Sequence, residues 1–528
     1  MRFDYVVVGG GTAGCVIAAR LAEREECSVA LLEAGPEDDL PEVSMPAALG
    51  LLFKSHVDWD FDTDPEPQLG SRCAYLPRGR MLGGSSSING MVYIRGNRAD
   101  FDEWEELGCD GWGYADVLPY FRRSEDNERG EDEYHGVGGP LAVSDSRSGY
   151  AITEAWLEAA IGAGLVPNLD FNAGTQVGVG RFQLNQRDGE RCSASRAFLE
   201  PARRRPNLTV MTDTYALRLR FDGRRARGVE IVHHGEVSVI EADCEVIVCA
   251  GAYQSPQLLM LSGLGPAAKL RALGLEVLDD LPVGENLLDH PMVMMSYVTR
   301  LPGLFSGFTP ESRRLYERQR RGPLTTNVAE AGGFVCTRSG LAGPDIQFHA
   351  GVAAAKHGGM TVLESDGHSF GPNLAKPSSR GQVTLRSPLP TAKPRIVHNF
   401  LATEDDRATM LEGVRLALEI AEQPALRDIR ISVYSAPASR SDADIVDFVR
   451  QSAQTDFHAA GTCAMGSVVD ARLRVLGVEG LRVADASVMP TIVRGNTAAA
   501  TIMIGEKAAD LIAGDWTVAA PPDRATAV

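Results

Sequence analysis

The sequence holds ten histidines, and one of them stands in a setting suited to chemistry. In "TDFHAAGTCAMG" (455–466), His458 sits five residues before Cys463, between an aromatic residue and a glycine-containing turn. An imidazole there can act as a general base near neutral pH, as half of a Cys–His nucleophile pair, as a metal ligand or as a packed side chain. The stretch alone leaves all four open. No HExxH or similar cluster accompanies it, and His233 and His234 are adjacent, so their side chains would diverge in a strand. No metal site is expected.

A second set of residues is spaced for binding. Gly9, Gly11 and Gly14 follow the G-x-G-x-x-G pattern, with Thr12 and Ala13 inside the turn and Glu33 nineteen residues past the third glycine. In a dinucleotide site Gly9 permits the tight turn, Gly11 lets the backbone approach a pyrophosphate, and Gly14 lets helix and strand pack closely. The first helical N–H groups are free for the phosphates. Glu33 can accept from ribose hydroxyls, and its charge disfavours a 2′-phosphate. NAD and FAD both satisfy this motif.

The elements that must position these residues are visible in the apolar pattern. "FDYVVVGGGTAGCVIAARLAEREECSVALLEAG" (3–35) gives a buried strand, the glycine turn, a helix with Val16, Ile17 and Leu21 on its inner face, and a second strand ending on Glu33. "CEVIVCAGAYQSPQLLMLSGLGP" (244–266) repeats strand, turn at Ala250, and helix. "GLRVADASVMPTIVRGNTAAATIMIGEKAADLI" (480–512) is read as a strand ending at Asp485, a loop and an apolar helix. "PRGRMLGGSSSINGMVYIRGNRADFDEW" (77–104) carries five glycines and three consecutive serines, which let backbone N–H groups reach a flat ligand, and its "MVYIRG" is unlike a linker.

A chain of 528 residues exceeds one ordinary core. Its net charge of −18 argues against a nucleic-acid partner, which would draw on clustered Lys and Arg. Nine scattered cysteines without CxxC pairs argue against a disulfide framework or structural zinc, and fit a reducing, cytoplasmic setting. The N-terminus passes directly into a strand, leaving no room for a signal peptide, and no run of about 18 apolar residues suggests a membrane span.

Together the four segments resemble the glucose–methanol–choline family of FAD-dependent oxidoreductases, over nearly the whole chain. "GRMLGGSSSINGMVYIRG" and "GAYQSPQLLMLSGLG" are similar to its two signature segments, and "VGENLLDHP" (283–291) and "GPLTTNVAEAGGF" (322–334) to segments between them. The resemblance implies an α/β fold: a discontinuous Rossmann-like FAD-binding domain (1–145, 190–295 and 455–515) and an α+β substrate domain with an antiparallel sheet (146–189 and 296–454), followed by a flexible tail (516–528).

Carried over residue by residue, the glycine turn and Glu33 would hold the ADP half of FAD. Arg80, Gly84, Ser87, Asn89, Gly90 and Val92 would lie along the pyrophosphate, ribityl chain and isoalloxazine, Ala216 by the adenine, and Asp485 and Ala486 at the pyrophosphate end. Ala250 and Thr497 join this set. Some family members attach FAD through a histidine in the first signature; Ile88 stands there, so a non-covalent FAD is expected. The family's proton acceptor is a histidine in an H-x-x-G-T-like segment, with a His or Asn partner before the last helix, which gives His458 as base and Asn496 as partner. Ala498 and Ala500 depart from the polar residue and proline often found after that Asn.

The implied reaction oxidises the CH–OH group of a small alcohol, with O2 or another electron acceptor as second substrate. A lyase of the same fold with no net redox is the alternative. Choline-oxidising relatives carry a carboxylate after "DHP"; here Met292, Val293, Met294 and Met295 follow, favouring a less polar alcohol. His349, on an alternating strand, is either a substrate contact or a satisfied core histidine, with Phe348 pointing the other way.

Overall fold

Val6, Val7 and Val8 are buried, so the first strand needs a neighbour on each side and a layer on each face. The computed structural model describes residues 1–356 and 360–519 and supplies both. Arg2–Val8 pairs in parallel with Val29–Leu32 on one side and Glu236–Val248 on the other. Leu208–Met211 extends the sheet beyond Val29–Leu32, and Leu481–Val483 pairs in parallel with Glu236–Val248. An antiparallel meander, Thr214–Asp222 and Arg225–His233, completes seven strands. Helices Thr12–Leu21 and Ala498–Ala519 pack on each other against this sheet.

A second sheet of eight strands is antiparallel throughout. Its order is Arg430–Ser435, Met295–Thr299, Gly367–Leu374, Ile346–Gly351, Ala329–Val335 and Gly178–Arg181. Pro291–Met292 pairs with Gly367–Leu374 and also with Gln454–Thr455. Helices Ala151–Gly162 and Glu404–Ala421 cover it and build a separate apolar core. Two strand ends therefore deliver "DH" (289–290) and "DFH" (456–458) to one place.

Three local readings change. The strand read as ending at Asp485 ends at Val483, and Asp485 instead caps the turn Ala486–Val488 by accepting from the Ser487 N–H at 2.8 Å. His233 and His234 do not diverge: His234 has φ +48° at the hairpin turn, which folds the two rings to 4.0 Å between centroids. Residues 516–519, read as tail, belong to the helix Ala498–Ala519, since no proline falls between 498 and 519. Residues 520–528 of that tail lie outside the described residues.

Candidate active site

His458 is buried at the rim of a cavity of about 1350 Å³ that passes between the two sheets. Phe457 before it adopts φ +67°, with its N–H donating to Thr455 Oγ1 at 2.7 Å, while the His458 N–H donates to Asp289 Oδ1 at 2.8 Å. Asn496, just before the long helix, lines the same cavity with Nδ2 3.0 Å from His458 Nε2. The Asn496 Oδ1 accepts from Gln347 Nε2 at 3.1 Å, which turns Nδ2 toward the imidazole as donor. Nε2 of a neutral His458 is then its unprotonated nitrogen. Nδ1 carries the hydrogen, 2.9 Å from His290 Nδ1 and 3.5 Å from Asp456 Oδ2.

Burial pulls the His458 pKa down to about 4, with Asp456 opposing and His349 and Arg78 adding to the fall. The imidazole is therefore uncharged at neutral pH and able to take a proton. Burial alone would raise Asp456, but His349, His458 and the His349 hydrogen bond outweigh it and hold the carboxyl at about 2. His349 Nε2 lies 3.1 Å from Asp456 Oδ2, and Asn373 Nδ2 donates to the same oxygen. His349 lines the cavity, its Nδ1 has no hydrogen-bond partner, and Phe348 turns into the second core. Cys463 is fully buried in the first core and its thiol pKa is raised by burial, so it is a packing residue.

The remainder of the cavity has the shape a dinucleotide needs. A Cβ on Gly14 would fall 1.9 Å from the Gly9 carbonyl oxygen and one on Gly9 2.5 Å from that of Cys249, so the fold requires both glycines. A Cβ on Gly11 would meet only the Cys249 oxygen at 3.8 Å, so glycine there keeps the cavity floor open. The helix starting at Thr12 has no side-chain cap, leaving its first N–H groups for a ligand. Glu33 faces the cavity while accepting from the N–H groups of Gly10 at 2.9 Å and Gly35 at 2.8 Å; burial raises its pKa to about 7. These residues fit the ADP half of FAD.

Most of the expected binding residues line this cavity: Gly9, Gly11, Thr12, Ala13, Glu33, Gly84, Asn89, Gly90, Val92, Ala216, Ala250, Asp485, Ala486 and Thr497, with Met292 and His349 at the other end. Gly14, Ser87 and Arg80 do not. Ser87 Oγ donates to the Leu82 carbonyl at 2.8 Å, and the Arg80 guanidinium lies over Trp59, 5.2 Å from the ring centroid. Arg78, two residues earlier, lines the cavity instead. Sequence reasoning also missed Asp456, His290, Gln347 and Arg191. The last is fully buried and donates to the carbonyls of Val43, Ser86 and Asn89, riveting the serine loop. Of these, His290 lies in "DHP" and Asp456 in "TDFHAAGTCAMG", both singled out as segments without a role for either residue.

Comparisons with known proteins agree over nearly the whole chain. Family models for the GMC oxidoreductases match residues 3–292 and 377–505. An uncharacterised GMC-type oxidoreductase of Mycobacterium tuberculosis is 44% identical over 525 residues, 96% of this chain and 99% of the relative. The oxygen-dependent choline dehydrogenase of Brucella anthropi is 41% identical over 530 residues, 97% and 96% of the two chains. Among solved structures, pyridoxine 4-oxidase from Mesorbium loti superposes with a TM-score of 0.88 at 33% identity, covering 96% of this chain and 98% of the other. Formate oxidase from Aspergillus oryzae gives 0.90 at 29%, covering 98% and 99%. With a dinucleotide cradle at one end of the cavity and a His–Asn pair at the other, the chain belongs to the GMC oxidoreductases, a family of FAD-dependent enzymes.

Proposed function

We propose that the protein oxidises the CH–OH group of a small-molecule alcohol to the aldehyde or ketone, passing electrons to O2 or another acceptor. The observation that carries this reading is the neutral His458 imidazole, whose basic Nε2 shares a cavity wall with Asn496 Nδ2, 3.0 Å away. FAD, when bound, supplies the acceptor for the hydride that leaves the carbinol carbon.

This chain's residues govern the other half of the reaction. The alcohol oxygen displaces the Asn496–His458 hydrogen bond and bridges the two side chains from the cavity side, with Asn496 Nδ2 donating to it and His458 Nε2 accepting its proton. The positive charge gained by the imidazole faces Asp456, whose Oδ2 is 3.5 Å from Nδ1. Holding both groups on separate elements, one after a strand of the second sheet and one before the long helix, fixes the oxygen and so the direction of its C–H bond. The choline dehydrogenase and pyridoxine oxidase relatives support alcohol oxidation as the reaction class.

FAD is held without a covalent bond. Ile88, in the position of the attaching histidine, lines the cavity and packs with Val43, Leu52, Val57 and Met81. We read the seven-stranded sheet with its helices as the cofactor domain and the antiparallel sheet as the substrate domain. No helix among the described residues is long and apolar enough to cross a membrane. Nine free cysteines suit a reducing compartment such as the cytoplasm.

Anaerobic addition of alcohols to the yellow protein tests the function. Loss of the yellow absorbance with an alcohol supports it, and hydrogen peroxide formed in air marks O2 as acceptor. A spectrum unchanged by every alcohol, with substrate cleaved instead, means a lyase. Acid precipitation should leave the yellow colour in the supernatant; colour in the pellet contradicts non-covalent binding.

A further inference from the structure

From His458 the cavity continues to the surface along an apolar path. Phe457 precedes the histidine, and its ring centroid lies 6.4 Å from that of Phe53. Two residues before Phe53, Leu51 lines the same cavity and yet is 68% exposed. Phe308, at 51%, and Val433, at 56%, combine the same two properties, and Met294 lines the cavity from the link between Pro291–Met292 and Met295–Thr299. Scattered exposed apolar residues need no explanation, but several that line one cavity together with a base form a surface for an apolar ligand.

Several polar groups on this path are engaged within the protein. Gln451 Nε2 donates to Asp447 at 2.7 Å and Ser452 Oγ to the Phe448 carbonyl at 2.6 Å. Lys356 Nζ lies 4.1 Å from the centroid of the Tyr434 ring, and the Asp456 carboxylate is occupied by His349 and Asn373. A strongly polar or cationic substrate tail would surrender its hydration along this route and meet few free partners.

We propose that the alcohol substrate carries an apolar tail, of the alkyl-chain class, that runs from the His458–Asn496 pair past Phe457 and Phe53 to the mouth at Leu51, Phe308 and Val433. The proposal rests on the alcohol-oxidation reading. It requires kcat/KM for primary n-alkanols to rise about fourfold per methylene, the value of burying one CH2 group, until the chain reaches the mouth.

The experiment measures anaerobic flavin reduction by the series ethanol to 1-decanol in the wild type and in Leu51→Asp, Val433→Asp and Ile431→Asp. The readout is the slope per methylene within each protein. The matching n-alkyl amides, which lack a carbinol C–H bond, are titrated calorimetrically as a binding readout free of turnover. A rising slope that flattens for the longer chains in Leu51→Asp and Val433→Asp supports the proposal. It should persist in Ile431→Asp, because Ile431 is 60% exposed on the same strand but lies off the cavity. A flat series with flavin still reduced overturns the tail alone, as do Leu51→Asp and Val433→Asp slopes that match the wild type at every chain length. Failure of every alcohol to reduce the flavin removes the oxidation reading, and the tail with it.

Discussion

At the scale of single residues, His458 works because three neighbours divide its ring between them. Asn496 claims Nε2, His290 and Asp456 face Nδ1, and burial keeps the whole group neutral. Asp456 acts through His458 as a positioning charge. Replacing it by Asn keeps the shape and an acceptor for His349 but removes the charge that favours the imidazolium. Asp456 raises the His458 pKa, so its loss lowers it: the acid limb of the kcat/KM profile should move to lower pH, and the plateau should drop roughly tenfold as the base weakens. Substituting His349 with Gln removes a neighbour that lowers the His458 pKa and should move the limb the other way. A pH–rate series on the three proteins checks both signs.

At the scale of elements, the glycine turn separates binding from folding. Gly14→Ala would place a Cβ 1.9 Å from the Gly9 oxygen and should destabilise the protein by about 3 kcal/mol, read by denaturant unfolding. Gly11→Ala meets nothing closer than 3.8 Å, at an ordinary φ of −78°, so stability should hold. Its methyl group occupies the cavity floor, and the Kd for FAD should rise by tenfold or more, since one strained charge-assisted hydrogen bond is worth about 1.5–3 kcal/mol. This turn was legible because its whole logic lies within 35 residues of sequence. The second sheet was not legible strand by strand: it joins segments from 178 to 455 through antiparallel pairings that leave no local mark. Asp456 and Gln347 escaped for that reason, their roles arising only where two distant strands meet. Arg78 and Arg80 show a finer limit, since a loop's spacing does not say which of two arginines turns to Trp59 and which to the cavity.

At the scale of the molecule, buried titratable groups set a stability optimum. His290, His368, His398 and His458 are held neutral by burial, at about 3 to 4 where a value is defined. Below pH 6.5 the unfolded chain binds more protons at these sites, so stability falls with acid. Glu33 and Glu66 are raised by burial to about 7, so the native state holds protons the unfolded chain has released; stability falls as pH rises from about 4.5 through 7. His135, raised to about 9 despite burial because Asp170 and Glu125 bind its ring, loses its contribution as pH climbs through that value. FAD-free protein should therefore melt highest between about pH 6 and 7 and lower at pH 5 and 8.5, with the alkaline loss reduced in Glu33→Gln. Melting curves across that range test it. The central claim, a proton taken by His458 as the carbinol C–H bond breaks, is met most directly by anaerobic rapid mixing of FAD-loaded wild type and His458→Gln with a primary alcohol. The account expects rapid flavin reduction in the wild type and a rate lower by about 10²–10⁴-fold in the variant, with its FAD content unchanged. Equal rates in the two proteins would contradict it.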